Sequence, residues 1–75
     1  MTKAAKQFVF CLSNDGYEAS LERGKVYLNL PDRESEKLGL LRVVDESGED
    51  YLFPKARFVA IDLPQTAQKA VLYAA

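Results

Sequence analysis

The sequence predicts a mainly β fold, a small five-stranded barrel with a short C-terminal helix. Three observations point to it. Short segments rich in aromatic and β-branched residues recur along the chain, each stopped by glycine, proline, asparagine or aspartate. The stretch 40–63, LLRVVDESGEDYLFPKARFVAIDL, reads as two strands joined by a tight turn, a proline-broken corner and a further strand. After Pro64 the composition changes to QTAQKAVLYAA, which has high helix propensity.

Residues 1–6 are expected to be a disordered leader, residues 7–64 the barrel and residues 65–75 a helix or tail. Strand one covers residues 7–13 (QFVFCLS), where alternation sets Phe8, Phe10 and Leu12 on one face and Val9, Cys11 and Ser13 on the other. Asn14-Asp15-Gly16 ends it, because asparagine and glycine accept positive φ. Residues 17–24 (YEASLERG) read as a long, partly ordered loop whose Leu21 dips into the core. Strand two, residues 25–30 (KVYLNL), is expected to turn Val26, Leu28 and Leu30 inward and Lys25, Tyr27 and Asn29 outward. Pro31-Asp32 stops it, and residues 33–39 form a charge-rich connection with room for one helical turn.

Strand three (residues 40–45) and strand four (residues 50–53) flank a four-residue turn containing Gly48, a good hairpin signal. Pro54 cannot donate to a ladder, so the strand ends there. Residues 55–57 make about one turn of tight helix, and strand five (residues 58–63) is expected to bury Val59, Ile61 and Leu63. Pro64 permits a helix start. The helix places Ala67, Ala70, Val71 and Ala74 near one face and must dock to persist, since peptides below about 12–15 residues are marginal alone.

Composition sets the function classes. The 75 residues make one domain near the lower limit for an independent core. Ten basic residues against eleven acidic ones leave no net field for a phosphate backbone, which disfavours nucleic acid. The single cysteine, Cys11, cannot form an internal disulfide, which fits a reducing cytoplasm. No apolar run approaches membrane-spanning length.

Five short strands, a long first loop, a tight third hairpin and a helical turn before the last strand resemble the SH3-like β-barrel. The phrases CLSNDGYEASLERGKVY and RVVDESGEDYLFP are similar to an uncharacterised family of short bacterial proteins, over about residues 8–64. That resemblance implies the fold and no established activity. Tyr51-Leu52-Phe53-Pro54 followed by Phe58-Val59 looks like the proline corner and aromatic-valine step of SH3-like domains. The chain has no tryptophan and strand one lacks the tyrosine motif of the proline-peptide groove, so PxxP recognition is not expected.

The chemistry reads as non-enzymatic and cofactor-free. There is no histidine, the commonest general base. Cys11 lies mid-strand and reads as a small core residue. Asp45, Glu46, Glu49 and Asp50 crowd the third hairpin in a spacing that matches no calcium loop, so no metal is expected. The four glycines lie far apart and form no phosphate cradle. What remains is a partner-binding surface: Tyr17, Tyr27, Tyr51 and Phe58 as partly exposed aromatics beside Pro54, with loop carboxylates Asp15 and Glu18, and Glu22 beyond, favouring a basic protein or peptide segment. The bland alternative is that the aromatics cover the end of a small barrel or lie under the C-terminal helix. A second class of function, a nucleic-acid accessory, would use Lys25, Arg42, Lys55 and Arg57 as a basic strip with Tyr27 for stacking. A third is a structural subunit, monomeric or weakly homodimeric through a strand edge.

Overall fold

The structure, a computed structural model, describes residues 7–72. The expected leader, residues 1–6, and the end of the expected helix, residues 73–75, lie outside the described residues. The strands are β1 (Gln7–Cys11), β2 (Val26–Leu30), β3 (Leu40–Val44), β4 (Asp50–Pro54) and β5 (Phe58–Ile61). Helix α1 (Arg33–Lys37) joins β2 to β3, a 3₁₀ turn at Lys55–Arg57 joins β4 to β5, and helix α2 (Gln65–Leu72) follows.

All five strands pair antiparallel in one sheet of order β4-β3-β2-β1-β5. The sheet is open, with β4 and β5 as its two edges, and not the closed barrel the sequence predicts. It bends at β2. The strand pairs with β1 from Val26 to Asn29 and with β3 at Asn29 and Leu30, so that only Asn29 is paired on both sides. The two halves therefore fold toward each other. Phe53 of β4 meets Phe58 of β5 edge-on, with ring centroids 6.3 Å apart, so side chains bridge the seam where the backbone does not.

The concave face holds the main core: Val9, Cys11, Leu21, Tyr27, Leu41, Val43, Phe53 and Phe58. On β2 and β5 this is the opposite phase to the expected one. Tyr27, Asn29 and Phe58 are buried, while Val59 is exposed and Val26, Leu28 and Leu30 are half-buried on the convex face. The reason is that both faces of this sheet are covered. Helix α2 packs on β2 from the convex side. There Val71 shares a cavity of about 280 Å³ with Val26, Leu28 and Val44, and Gln68 lies near Phe8, Ile61 and Leu63. The aliphatic row thus lies under the helix, and the aromatic row fills the wider concave side.

Local chemistry fixes the connections. Asp32 caps α1, its carboxylate accepting from the Ser35 N–H at 3.1 Å and the Ser35 hydroxyl at 2.8 Å. Arg42 of β3 donates to Asp32 at 2.9 Å and to Asp50 of β4 at 3.0 Å, pinning the charge-rich connection to the sheet. Gly39 ends the helical segment at φ +78°, a conformation that glycine adopts without strain. In the third hairpin the Gly48 N–H bonds the Asp45 carbonyl and the Asp45 N–H bonds the Glu49 carbonyl, both at 3.0 Å. Gly48 has φ +85°, which gives a three-residue loop with a positive-φ glycine rather than the four-residue turn expected.

Leu21, in the first loop, is 1 % exposed and belongs to the core cluster. Leu21→Ala is expected to cost about 2–5 kcal/mol, a large part of a small domain's stability. Urea unfolding of the two proteins measures it; a loss below about 1 kcal/mol would show that the loop does not complete the core.

Candidate interaction surface

The first loop is tied down more firmly than its composition suggests. The Gly24 N–H bonds the Cys11 carbonyl at 2.8 Å and the Cys11 N–H bonds the Lys25 carbonyl at 2.9 Å, closing its base. Inside the loop, the Tyr17 N–H bonds the Asn14 carbonyl and the Leu21 N–H bonds the Tyr17 carbonyl, both at 2.8 Å. The Asn14 side-chain amide donates to the Leu21 carbonyl at 3.0 Å. Across the fold, the Glu46 N–H donates to the Ser20 carbonyl at 3.0 Å, so the third hairpin holds the loop over the concave face.

Tyr27 makes the second tie between these segments. Its hydroxyl donates to Glu46 Oε2 and accepts the Glu22 N–H at 2.6 Å. Lys25 Nζ donates to both Glu46 oxygens, at 2.9 and 2.7 Å. Burial raises the pKa of Tyr27 above its ordinary 10.0, and the Glu46 carboxylate raises it further. The hydrogen bonds from Lys25 and then Tyr27 hold Glu46 below its ordinary 4.5. Burial also raises the Cys11 thiol above its ordinary 9.0, away from the thiolate that reactivity requires.

The expected surface is therefore smaller than the sequence reading proposed. Tyr27 and Phe58 are 4 % and 8 % exposed and belong to the core, so neither presents a face to a partner. Tyr17 is half-buried, its ring edge-on to Phe53 with centroids 5.3 Å apart and planes at 82°. The Arg57 guanidinium lies over the Tyr17 ring, 5.6 Å from its centroid, and donates to Ser13 Oγ at 2.9 Å. Asp15 and Glu18 are exposed on either side of Tyr17, the Gly16 N–H bonding Glu18 Oε2 at 3.2 Å. Pro54 is half-buried and pairs with Leu40. Tyr51 lies near the hairpin end of β4, its hydroxyl donating to Glu49 at 2.9 Å, and among the described residues no ring contact joins it to Tyr17.

The structure thus brings together Asp15, Tyr17 and Glu18, leaves Tyr51 apart, and adds Arg57, which the sequence reading had placed in a basic strip. The available signal for Arg57 was its place in the tight turn between Pro54 and Phe58, the corner that the first loop overhangs. The strip itself is taken apart. Lys25 pairs with Glu46, Arg42 pairs with Asp32 and Asp50, and the Tyr27 ring is inaccessible for stacking. The hairpin acids are likewise occupied individually: Asp45 accepts the Ser47 N–H at 2.8 Å, Glu46 takes Lys25, Glu49 takes Tyr51, and Asp50 takes Arg42. Among the described residues no three metal-ligating side chains converge, and no helix is long and apolar enough to cross a membrane.

Comparison of the chain with protein-family models, with curated proteins and with solved structures finds no match.

The shifted groups set the pH response. Tyr27 and Cys11 hold their protons more tightly when folded, so above about pH 9 the unfolded chain binds fewer protons and stability falls as pH rises. Glu46 is lowered, as is Asp32, chiefly by the Ser35 N–H, so their contributions are lost as pH falls below the ordinary carboxylate range. Urea unfolding from acid to alkaline pH is expected to show both declines, with the loss above pH 10 smaller in Tyr27→Phe. Parallel alkaline declines in the two proteins would contradict a buried, carboxylate-bonded Tyr27 hydroxyl.

Proposed function

We propose that this chain is a small, non-catalytic, SH3-like interaction module of the cytoplasm, binding a basic protein or peptide segment across its first loop. Three features of the fold support the SH3-like assignment: the strand order, the long first loop and the 3₁₀ turn before the last strand. The observation that carries the binding reading is the Tyr17 ring, held between Phe53 and Arg57 at the edge of the core and still half-exposed. A ring already fixed by Phe53 and Arg57 loses little freedom when a partner covers its remaining exposed part, which is the property of aromatic anchors at interfaces. Exposed Asp15 and Glu18 flank it, so a partner carrying lysine or arginine gains steering and register. The buried positions of Tyr27 and Phe58 give them a supporting role, with Tyr51 and Pro54 at the margin.

Selection of a random 12-residue peptide library on the immobilised chain tests this. Enriched peptides are expected to be basic, to shift amide resonances of residues 14–18 and 55–58, and to bind at least about tenfold more weakly to Tyr17→Ala, with Tyr51→Ala unchanged. Failure to enrich any sequence over the Tyr17→Ala control, or shifts confined to another surface, would overturn the reading.

A further inference from the structure

β4 is a sheet edge, and the contacts that flank it fix which of its backbone groups are free. The Asp45 N–H bonds the Glu49 carbonyl at 3.0 Å, the Lys55 N–H bonds the Gly39 carbonyl at 2.8 Å, and the β3–β4 pairs between them keep one register. Antiparallel pairs alternate between exchanging hydrogen bonds and not. Tyr51 and Phe53 therefore point their N–H and C=O groups toward β3. Asp50 and Leu52 point theirs outward, together with the Pro54 carbonyl. Asp50, Tyr51 and Leu52 are all exposed, Tyr51 by 49 % and Leu52 by 42 %.

We propose that this edge pairs antiparallel with β4 of a second copy of the chain, about a two-fold axis at Leu52. In that register Leu52 exchanges two hydrogen bonds with its own image, and each Asp50 N–H reaches the opposing Pro54 carbonyl. The side chains are self-complementary. Leu52 packs on Leu52, and Glu49 faces Lys55 of the other copy. Asp50 comes to the edge already compensated by Arg42, 3.0 Å away, so two copies of it do not oppose the pairing. The neighbouring register, with Tyr51 facing itself, sets the Asp50 carboxylate against Leu52 and takes Glu49 away from Lys55. Side-chain chemistry therefore selects the Leu52 axis. Pro54 has no N–H, so the ladder stops there, and an isologous contact through one edge closes at two copies.

Sedimentation velocity from about 10 µM to about 1 mM at low salt reads the association. The native chain is expected to form a reversible dimer that weakens as salt rises. Leu52→Lys sets two lysines against each other on the axis and is expected to give a monomer with an otherwise native amide spectrum. Glu49→Lys turns both charge pairs repulsive and is expected to raise the dimer dissociation constant about tenfold, while Glu49→Lys with Lys55→Glu returns it to within about threefold of the native value. A chain monomeric to about 1 mM, a dimer insensitive to Leu52→Lys, or a double variant no tighter than Glu49→Lys overturns the proposal. Should Leu52→Lys fail to fold, the exposed charge pair alone decides the matter. The two readings fail separately, because Leu52 and Glu49, which decide the dimer, lie outside residues 14–18 and 55–58, which report the peptide.

Discussion

The hydroxyl of Tyr27 is the junction on which the rest of this fold depends. It comes from the middle sheet strand β2, bonds the backbone of the first loop at Glu22, and bonds the third hairpin at Glu46. The same carboxylate takes Lys25, and the backbone N–H of Glu46 takes the first-loop carbonyl of Ser20. Strand β2, the first loop and the turn of the third hairpin are therefore held at one point. The ring beneath fills the concave core, so one side chain supplies apolar burial and directional bonds together. A valine at this position would fill part of the volume and leave the Glu22 N–H and Glu46 without that partner.

A sheet open at the hydrogen-bond level needs such a junction. Among the described residues no backbone ladder joins β4 to β5, and the Phe53–Phe58 contact bridges them beside the 3₁₀ turn. The first loop covers the rest by inserting Leu21 and laying the edge of Tyr17 on Phe53. Loop order and sheet curvature thus depend on each other. This also explains why the loop, which reads as polar and glycine-terminated, behaves as part of the core. Its apolar members are few, but each sits at the seam.

That interdependence marks the limit of what the chain displays one-dimensionally. Strand positions were legible because glycine and proline punctuate every β segment, and Pro54 with Gly48 locates the third hairpin within a residue or two. The α1 turn and the helix after Pro64 were legible for the same reason. The inward phase of β2 was not. Val26, Leu28 and Leu30 form the more hydrophobic row, yet they lie under α2, and the row containing Tyr27 and Asn29 fills the concave side. Alternation identifies two faces; it cannot say which is inner when both are covered. On β5 the same ambiguity exchanged Phe58 for Val59. Two members of the expected aromatic surface were lost through this one inversion. The half-exposed position of Tyr17 was legible because it stands beside turn residues and has no alternating neighbours to set a phase. The place of Arg57 over its ring depends on how loop and corner meet, which no local pattern encodes.

The polar side chains around β2 and the third hairpin are already engaged within the fold, and this narrows where a partner can act there. Arg42 serves Asp32 and Asp50, Lys25 serves Glu46, Asp45 serves its own turn, and Tyr51 serves Glu49. Displacing any of these costs the internal bond that a partner replaces, so the gain on binding is small. Asp15 and Glu18 differ in being less engaged: the Asp15 backbone N–H donates to Ser13 Oγ and leaves its carboxylate to solvent, and the exposed Glu18 carboxylate accepts the Gly16 N–H alone among the described residues. The outward groups of β4 differ in the same way, since Asp50 and Leu52 have backbone donors and acceptors with no ladder to join. On the two proposals made above, a small domain that spends its ion pairs on holding an open sheet together would bind through two kinds of surface: a half-exposed aromatic ring held by Phe53 and Arg57, and a bare strand edge. The first suits side-chain recognition of a different molecule. The second is read by backbone geometry, and a copy of the same strand meets that requirement without further design.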